Sequence, residues 1–220
     1  MTAFERVTDG VWTAHRKQRF LGLEVGARMT VLALEAGLLV HSPIDITPAS
    51  LGELGTLRWV VAPNLLHHLY VGPWIEAGAE AWCAPGLEKK RSDLPFAGVV
   101  DDIAEPFGPE VLAVPLRSIA LTREVVLLHR PSGTLIVTDL LYHFQPEDPW
   151  STRAVMRGLG GYPGVKTSLL EKVAMKRDVA RAEIDRLLGL DFDRLIMAHG
   201  AVVETGGKAA LADAFAWLRA

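Results

Sequence analysis

The spacing of apolar residues changes along this chain, and that change limits the folds open to it. In the N-terminal part the apolar runs are short and strand-like, at residues 11–14, 29–34, 38–41 and 58–61. Glu35, Ala36 and Gly37 leave a hairpin-length gap between the second and third, with Gly supplying the turn. Residues 48–54 read as a short helix, with Thr47 as N-cap and Pro48 at the first helical position, where its missing N–H is harmless. After the strand ending at Val61, residues 63–72 read as a loop, 73–78 as a short helix and 81–84 as a strand, a β-α-β passage. Strands follow at 111–115 and 125–129, and Pro131-Ser132-Gly133 turns the chain into a strand at 134–138. From Trp150 onward the period is helical. Ala180, Ile184, Leu187 and Leu188 share one face, Gly189 follows as the C′ residue, and a last strand runs over 194–198. Leu211, Phe215 and Leu218 place one stripe on a C-terminal helix. Two runs of strands, each accompanied by helices, predict an α/β sandwich of two sheets covered by helices on their outer faces.

Composition narrows the function. The 220 residues are long enough for one well-buried core, so a single domain over 1–220 is expected; 50% apolar and 22% charged residues are the balance of an ordinary globular protein. The net charge is -3 and the basic residues are scattered apart from Lys89-Lys90-Arg91, which reads as a solvated helix end, so nucleic acid is a poor partner. Cys83 is the only cysteine, which fits a cytoplasmic location without disulfides. Residues 1–10 carry charges where a signal peptide needs an apolar core, and no apolar run approaches the roughly 20 residues that span a bilayer. A small-molecule substrate is the expected partner, with no membrane, and the oligomeric state stays open.

Four ligand-competent residues stand where apolar strands end: His67 and His68 after Val60-Val61, Asp139 after residues 135–138, and His199 after residues 195–198. Carboxyl ends of strands are where α/β sheets build sites. Imidazole nitrogen and carboxylate oxygen suit zinc, iron or manganese, and three such ligands with an open position make a catalytic site. Taken singly, each is an ordinary polar residue satisfied by backbone groups; the coincidence of four is what points to a metal.

The order of these features resembles the metallo-β-lactamase superfamily, from Asp9-Gly10-Val11-Trp12 to His199-Gly200. The segment Gly133-Thr134-Leu135-Ile136-Val137-Thr138-Asp139 is similar to that family's strand ending in Gly-Asp, with Thr138 in place of the Gly. Its signature loop, His-x-His-x-Asp-His, is here Pro63-Asn64-Leu65-Leu66-His67-His68. His68 matches the last His, His67 takes the Asp position, and Pro63 and Leu65 stand where the first two histidines belong. In the Pro115-Leu116-Arg117 context Arg117 replaces the third ligand of that first metal site. The second site keeps ligand-competent residues throughout: His67, His68, Asp139 and His199. The resemblance thus implies an αββα sandwich and a metal-dependent hydrolase acting on a small ester, thioester, lactone or phosphoester through one divalent ion, zinc first, with iron or manganese as alternatives. Four protein ligands, however, close a tetrahedral shell, as in structural zinc sites.

Asp139 is also expected to steer the attacking water, and His143, four residues on, to serve as an acid–base group or further ligand. Tyr142 is expected as a donor for a developing oxyanion, with packing or a surface loop as the alternative for both Tyr142 and His143, and Arg117 as an anchor for an anionic substrate or as a structural partner of an Asp or Glu. His15, His41 and His129 are expected to be structural, Trp74 and Trp150 to be core, and Cys83 to be buried. Residues 88–102 and 145–166 are the loops expected to set specificity. The alternative function is a non-catalytic binding or interaction module on the same fold, with a structural metal or none; a redox protein using iron ranks last.

Overall fold

The computed structural model describes residues 4–101 and 106–219, so Asp102, the end of one expected specificity loop, lies outside the described residues. The first sheet has seven strands that lie side by side in chain order: β1 (Glu5–Thr8), β2 (Val11–Arg16), β3 (Ala27–Leu34), β4 (Gly37–His41), β5 (Leu57–Ala62), β6 (Glu80–Cys83) and β7 (Gly98–Val99). Pairing is antiparallel from β1 to β4 and parallel from β4 to β7. The second sheet has four strands, β8 (Val111–Pro115), β9 (Val125–His129), β10 (Thr134–Ile136) and β11 (Arg194–Ile196), antiparallel except for the parallel β10 and β11.

Both sheets are mixed and both are buried on two faces, which is why their strands read as near-continuous apolar runs. Trp59 and Val61 of β5 face Val125 and Leu127 of β9 in the layer between the sheets, together with Leu32, Leu39, Phe107, Ile136 and Ile196. The alternate residues face outward. Val60 and Ala62 pack with Trp74, Val71 and Leu87 beneath α1 (Gly72–Glu76) and α2 (Leu87–Lys90). Val126, Leu128 and Leu135 pack under α5 (Arg177–Leu188) and α6 (Gly207–Ala214) through Ile184, Leu187 and Leu211. Two further helices, α3 (Trp150–Gly158) and α4 (Leu169–Ala174), connect β10 to α5. The architecture is an αββα sandwich, as expected. No helix among the described residues is long and apolar enough to cross a membrane.

Some local expectations need correction. Pro48–Leu54 is a 3₁₀ helix broken at Gly52 (φ 53), and Thr47 caps it with no side-chain bond. Gly189 is the C-cap in right-handed conformation (φ -74), because the helix closes on N–H bonds from Gly189 itself to Asp185 and Arg186. Trp150 is 76% exposed at the start of α3, whereas Trp74 and Cys83 are fully buried. The strands expected over 134–138 and 194–198 stop at Ile136 and Ile196. Beyond them the chain leaves the ladder: the Thr138 N–H donates to the Glu124 carboxylate, and His199–Gly200 pairs in parallel with Tyr142–His143. That early exit frees Asp139 and His199 to meet across the end of the sandwich.

Candidate metal centre

The centre is built from the carboxyl ends of β5, β10 and β11. The loop after β5 crosses to the second sheet, with the Pro63 carbonyl accepting the Val125 N–H (2.7 Å) and the Leu65 N–H donating to Thr122 (2.8 Å). Asn64, fully buried, turns it: its Oδ1 accepts the N–H groups of Leu66 (2.8 Å) and His67 (2.7 Å), an Asx turn that fixes the direction in which His67 leaves the backbone. On the other side, its Nδ2 donates to Asp139 Oδ2 (2.6 Å) and to Thr138 Oγ1 (2.9 Å).

Asp139 stands between two imidazoles. Its Oδ1 is 3.2 Å from His199 Nε2 and its Oδ2 is 3.5 Å from His67 Nε2. One ligand atom from each of His67, Asp139 and His199 lies within 4.8 Å of the others. The far nitrogen of each ring is already engaged, as second partners of metal-binding histidines usually are. His199 Nδ1 bonds the Gly26 carbonyl (2.7 Å), and His67 Nδ1 lies 2.8 Å from the Ser42 hydroxyl. A carbonyl only accepts, so the hydrogen of a neutral His199 sits on Nδ1 and its Nε2 turns a lone pair toward a carboxylate oxygen. Two acceptors at 3.2 Å need a cation between them, a proton or a metal ion.

The electrostatics agree. Burial pushes the Asp139 carboxyl up, yet His67 and His199 hold it well below the ordinary carboxylate range. Burial pushes His199 down, but its bond to Asp139, that carboxylate's charge and the Gly26 and Val25 carbonyls raise it. Glu124, also buried, is pushed up to about 7 by burial and by the charge of Asp139, against the pull of the amides it binds. Its carboxylate accepts the N–H groups of Thr138 (2.6 Å), Asp139 (2.8 Å) and Leu140 (2.9 Å) and so fixes the end of β10. Arg28 braces the other ligand strand through the carbonyls of Met197 (2.9 Å) and Gly200 (2.5 Å). At Gly200 (φ 90) a Cβ would collide with the His143 carbonyl, so the residue after His199 has to be glycine.

His68 corrects the four-ligand expectation. It stands outside the group: its Nδ1 lies 3.0 Å from Arg91 Nη1, and burial together with Lys90 and Arg91 lowers its pKa. Adjacent loop residues project in different directions, and the Asn64 turn sends His67 inward. The basic run at the end of α2 therefore does more than meet solvent, since Lys90 Nζ also binds the Leu65 carbonyl (2.5 Å). With His68 outside it, the group brings together three ligand-competent side chains, His67, Asp139 and His199.

Tyr142 stacks on His199 (ring centroids 5.8 Å apart, 20°) and donates to Glu171 Oε1 (3.1 Å). Burial, then Asp139 and Glu171, push its phenol well above the ordinary value. His143 pairs with Gly200 in the short ribbon and its Nδ1 lies 3.1 Å from the Ala201 carbonyl. Arg117 is exposed beyond β8, its N–H donating to Glu183 Oε1 (2.5 Å). Asn64, Glu124, Ser42, Gly26 and Arg28 were not singled out from sequence. An Asn after Pro in a loop is a turn signal, and Glu124 is a carboxylate just before the apolar run Val125-Val126-Leu127-Leu128; the other three carry no local mark.

Residues 8–159 match a protein family described as "Domain of unknown function (DUF4336)". No curated protein matches the sequence. Among solved structures, the chain is similar to a metallo-beta-lactamase from Pontibacter korlensis (TM-score 0.66, 12% identity, 98% of each chain covered). It is similar as well to one from Hirschia baltica (TM-score 0.67, 13% identity, 98% of this chain and 96% of that one). A third, from Erythrobacter litoralis with beta mercaptoethanol in its active site, gives a TM-score of 0.70 at 10% identity over 98% of this chain and 95% of that one. The likeness is one of fold: the sandwich is the metallo-β-lactamase fold.

Proposed function

The chain belongs to the DUF4336 family, and we propose that it is a metal-dependent hydrolase in which His67, Asp139 and His199 hold one divalent ion. The observation that carries this reading is the convergence of two imidazoles and a carboxylate, one ligand atom of each within 4.8 Å of the others, from three strand ends of two sheets. Two imidazoles and one carboxylate with an open position are the donor set of catalytic zinc sites, and the same set suits ferrous iron. Zinc is the ion we favour, with iron or manganese as alternatives. Such an ion supplies Lewis acidity to a carbonyl or phosphoryl oxygen and lowers the pKa of water at the open position. Asp139 contributes the negative charge that holds the cation, and it is ionised at neutral pH because both histidines favour the carboxylate. Tyr142, stacked on His199, stands as the donor toward a developing oxyanion, and His143 as the acid–base group. The substrate we propose is a small ester, thioester, lactone or phosphoester, and the single buried Cys83 fits a cytoplasmic enzyme.

Elemental analysis of protein purified without added metal, followed by a hydrolase panel on the loaded protein, tests the reading. One equivalent of metal with turnover that is lost in Asp139→Ala supports it. Protein that neither contains nor takes up metal overturns it in favour of a binding module. That second reading draws on Pro63 and Leu65, which stand at the first-site positions with their backbones tied to Val125 and Thr122. A structural ion without turnover would leave the metal site and remove the enzyme.

A further inference from the structure

Asn64, at an open position of the loop that resembles the signature loop, touches Thr138, which stands in place of the strand-end Gly. The Asn64 Nδ2 bonds Thr138 Oγ1 at 2.9 Å and Asp139 Oδ2 at 2.6 Å, and both residues are fully buried. We infer that Asn64 and Thr138 are a positioning pair that locks the Asp139 carboxylate, with Oδ1 toward His199, and so sets the affinity of the proposed metal centre. The inference rests on that centre and concerns residues outside its ligand set.

The orientation of the Asn64 amide is determined. Its oxygen takes the N–H groups of Leu66 and His67, so rotating the amide by half a turn would set oxygen against the Asp139 carboxylate and nitrogen against two donors. Every hydrogen-bonding group of the amide is thereby used. Thr138 extends the chain of contacts: its hydroxyl accepts from Asn64, while its backbone N–H donates to the Glu124 carboxylate, which also holds the amides of Asp139 and Leu140. The last torsion of an aspartate is broad, so an unrestrained carboxylate has to be ordered when an ion binds. Here one oxygen is already claimed by a donor, and Oδ1 is left facing His199 Nε2 at 3.2 Å. The pair thus lowers the ordering that metal binding requires, and it joins the loop after β5 to the end of β10.

The test titrates metal-free protein with Co²⁺ and with Zn²⁺, reading affinity by calorimetry and the visible Co²⁺ spectrum, for the wild type, Asn64→Ala, Thr138→Val and Thr138→Ser. Asn64→Ala and Thr138→Val are expected to weaken binding about 10- to 100-fold, the range for partners that orient metal ligands. Thr138→Ser keeps the hydroxyl and is expected to restore wild-type affinity and spectrum, which a merely space-filling role of Thr138 would not do. If Asn64→Ala does not fold, the Val and Ser pair decides. Folded variants that bind both ions as tightly as the wild type overturn the inference and leave the metal centre standing. A wild type that binds neither ion overturns the centre itself and the inference with it.

Discussion

His199 and His68 differ in one respect that decides their roles. His199 has Nδ1 bound to Gly26 and Nε2 beside Asp139, whereas His68 has Nδ1 beside Arg91. An ion that binds only the native state stabilises it by mass action, by about 2.7 kcal/mol at a hundred times its Kd. Chelation is therefore expected to lower the melting temperature, and His67→Ala or His199→Ala to abolish that response. His68→Ala is expected to keep it, which melting curves with and without chelator will check. His41 carries a separate, pH-linked effect. Burial, with the charge of His67 beside it, pushes it down to about 3 from 6.5, so between those values the unfolded chain binds a proton that the folded chain does not. Stability supplied by the neutral ring is full above 6.5 and is lost as pH falls toward 3, at up to about 1.4 kcal/mol per pH unit. In His41→Gln the profile of melting temperature against pH is expected to be flatter across that window.

At the scale of elements, the end of β10 is fixed by one side chain at the start of β9. Glu124 takes three backbone N–H groups that would otherwise be buried without partners. An orphaned buried donor costs about 1–3 kcal/mol. Glu124→Ala is expected to cost on the order of 3 kcal/mol or more, and Glu124→Gln less, because a carboxamide oxygen still accepts. Urea unfolding midpoints will rank the two. The loop after β5 is held in a comparable way at several points: Val125 and Thr122 take its backbone, Asn64 its turn, and Lys90 the Leu65 carbonyl. These ties let an irregular segment present His67 in one direction.

Across the whole molecule, the centre draws one ligand from the first sheet and two from the second, so its geometry depends on how the sheets pack. Phe107 is a large part of that packing, 1% exposed and edge-on to Trp59 and Trp82 at 6.1 Å from each. Phe107→Ala is expected to cost about 3–5 kcal/mol by loss of burial and the cavity left behind, measured by chemical denaturation of the metal-free protein.

Strands β8 and β9 and the sandwich itself were legible in sequence because burial on both faces imposes unbroken apolar runs, and turn residues bound those runs. His67, Asp139 and His199 were legible for the same reason, as polar residues just beyond apolar strands. His67 and His68, by contrast, are equivalent in sequence. Only the tertiary structure separated them, through an Asn64 turn and an Arg91 contact 23 residues away. Gly26 and Ser42 carry no local signal either, since Gly26 acts through a backbone carbonyl that any residue offers and Ser42 through a hydroxyl that nothing near it in sequence marks out. Apolar periodicity determined which segments are buried and where they stop; long-range hydrogen bonds, which leave no periodic trace, decided where each side chain points.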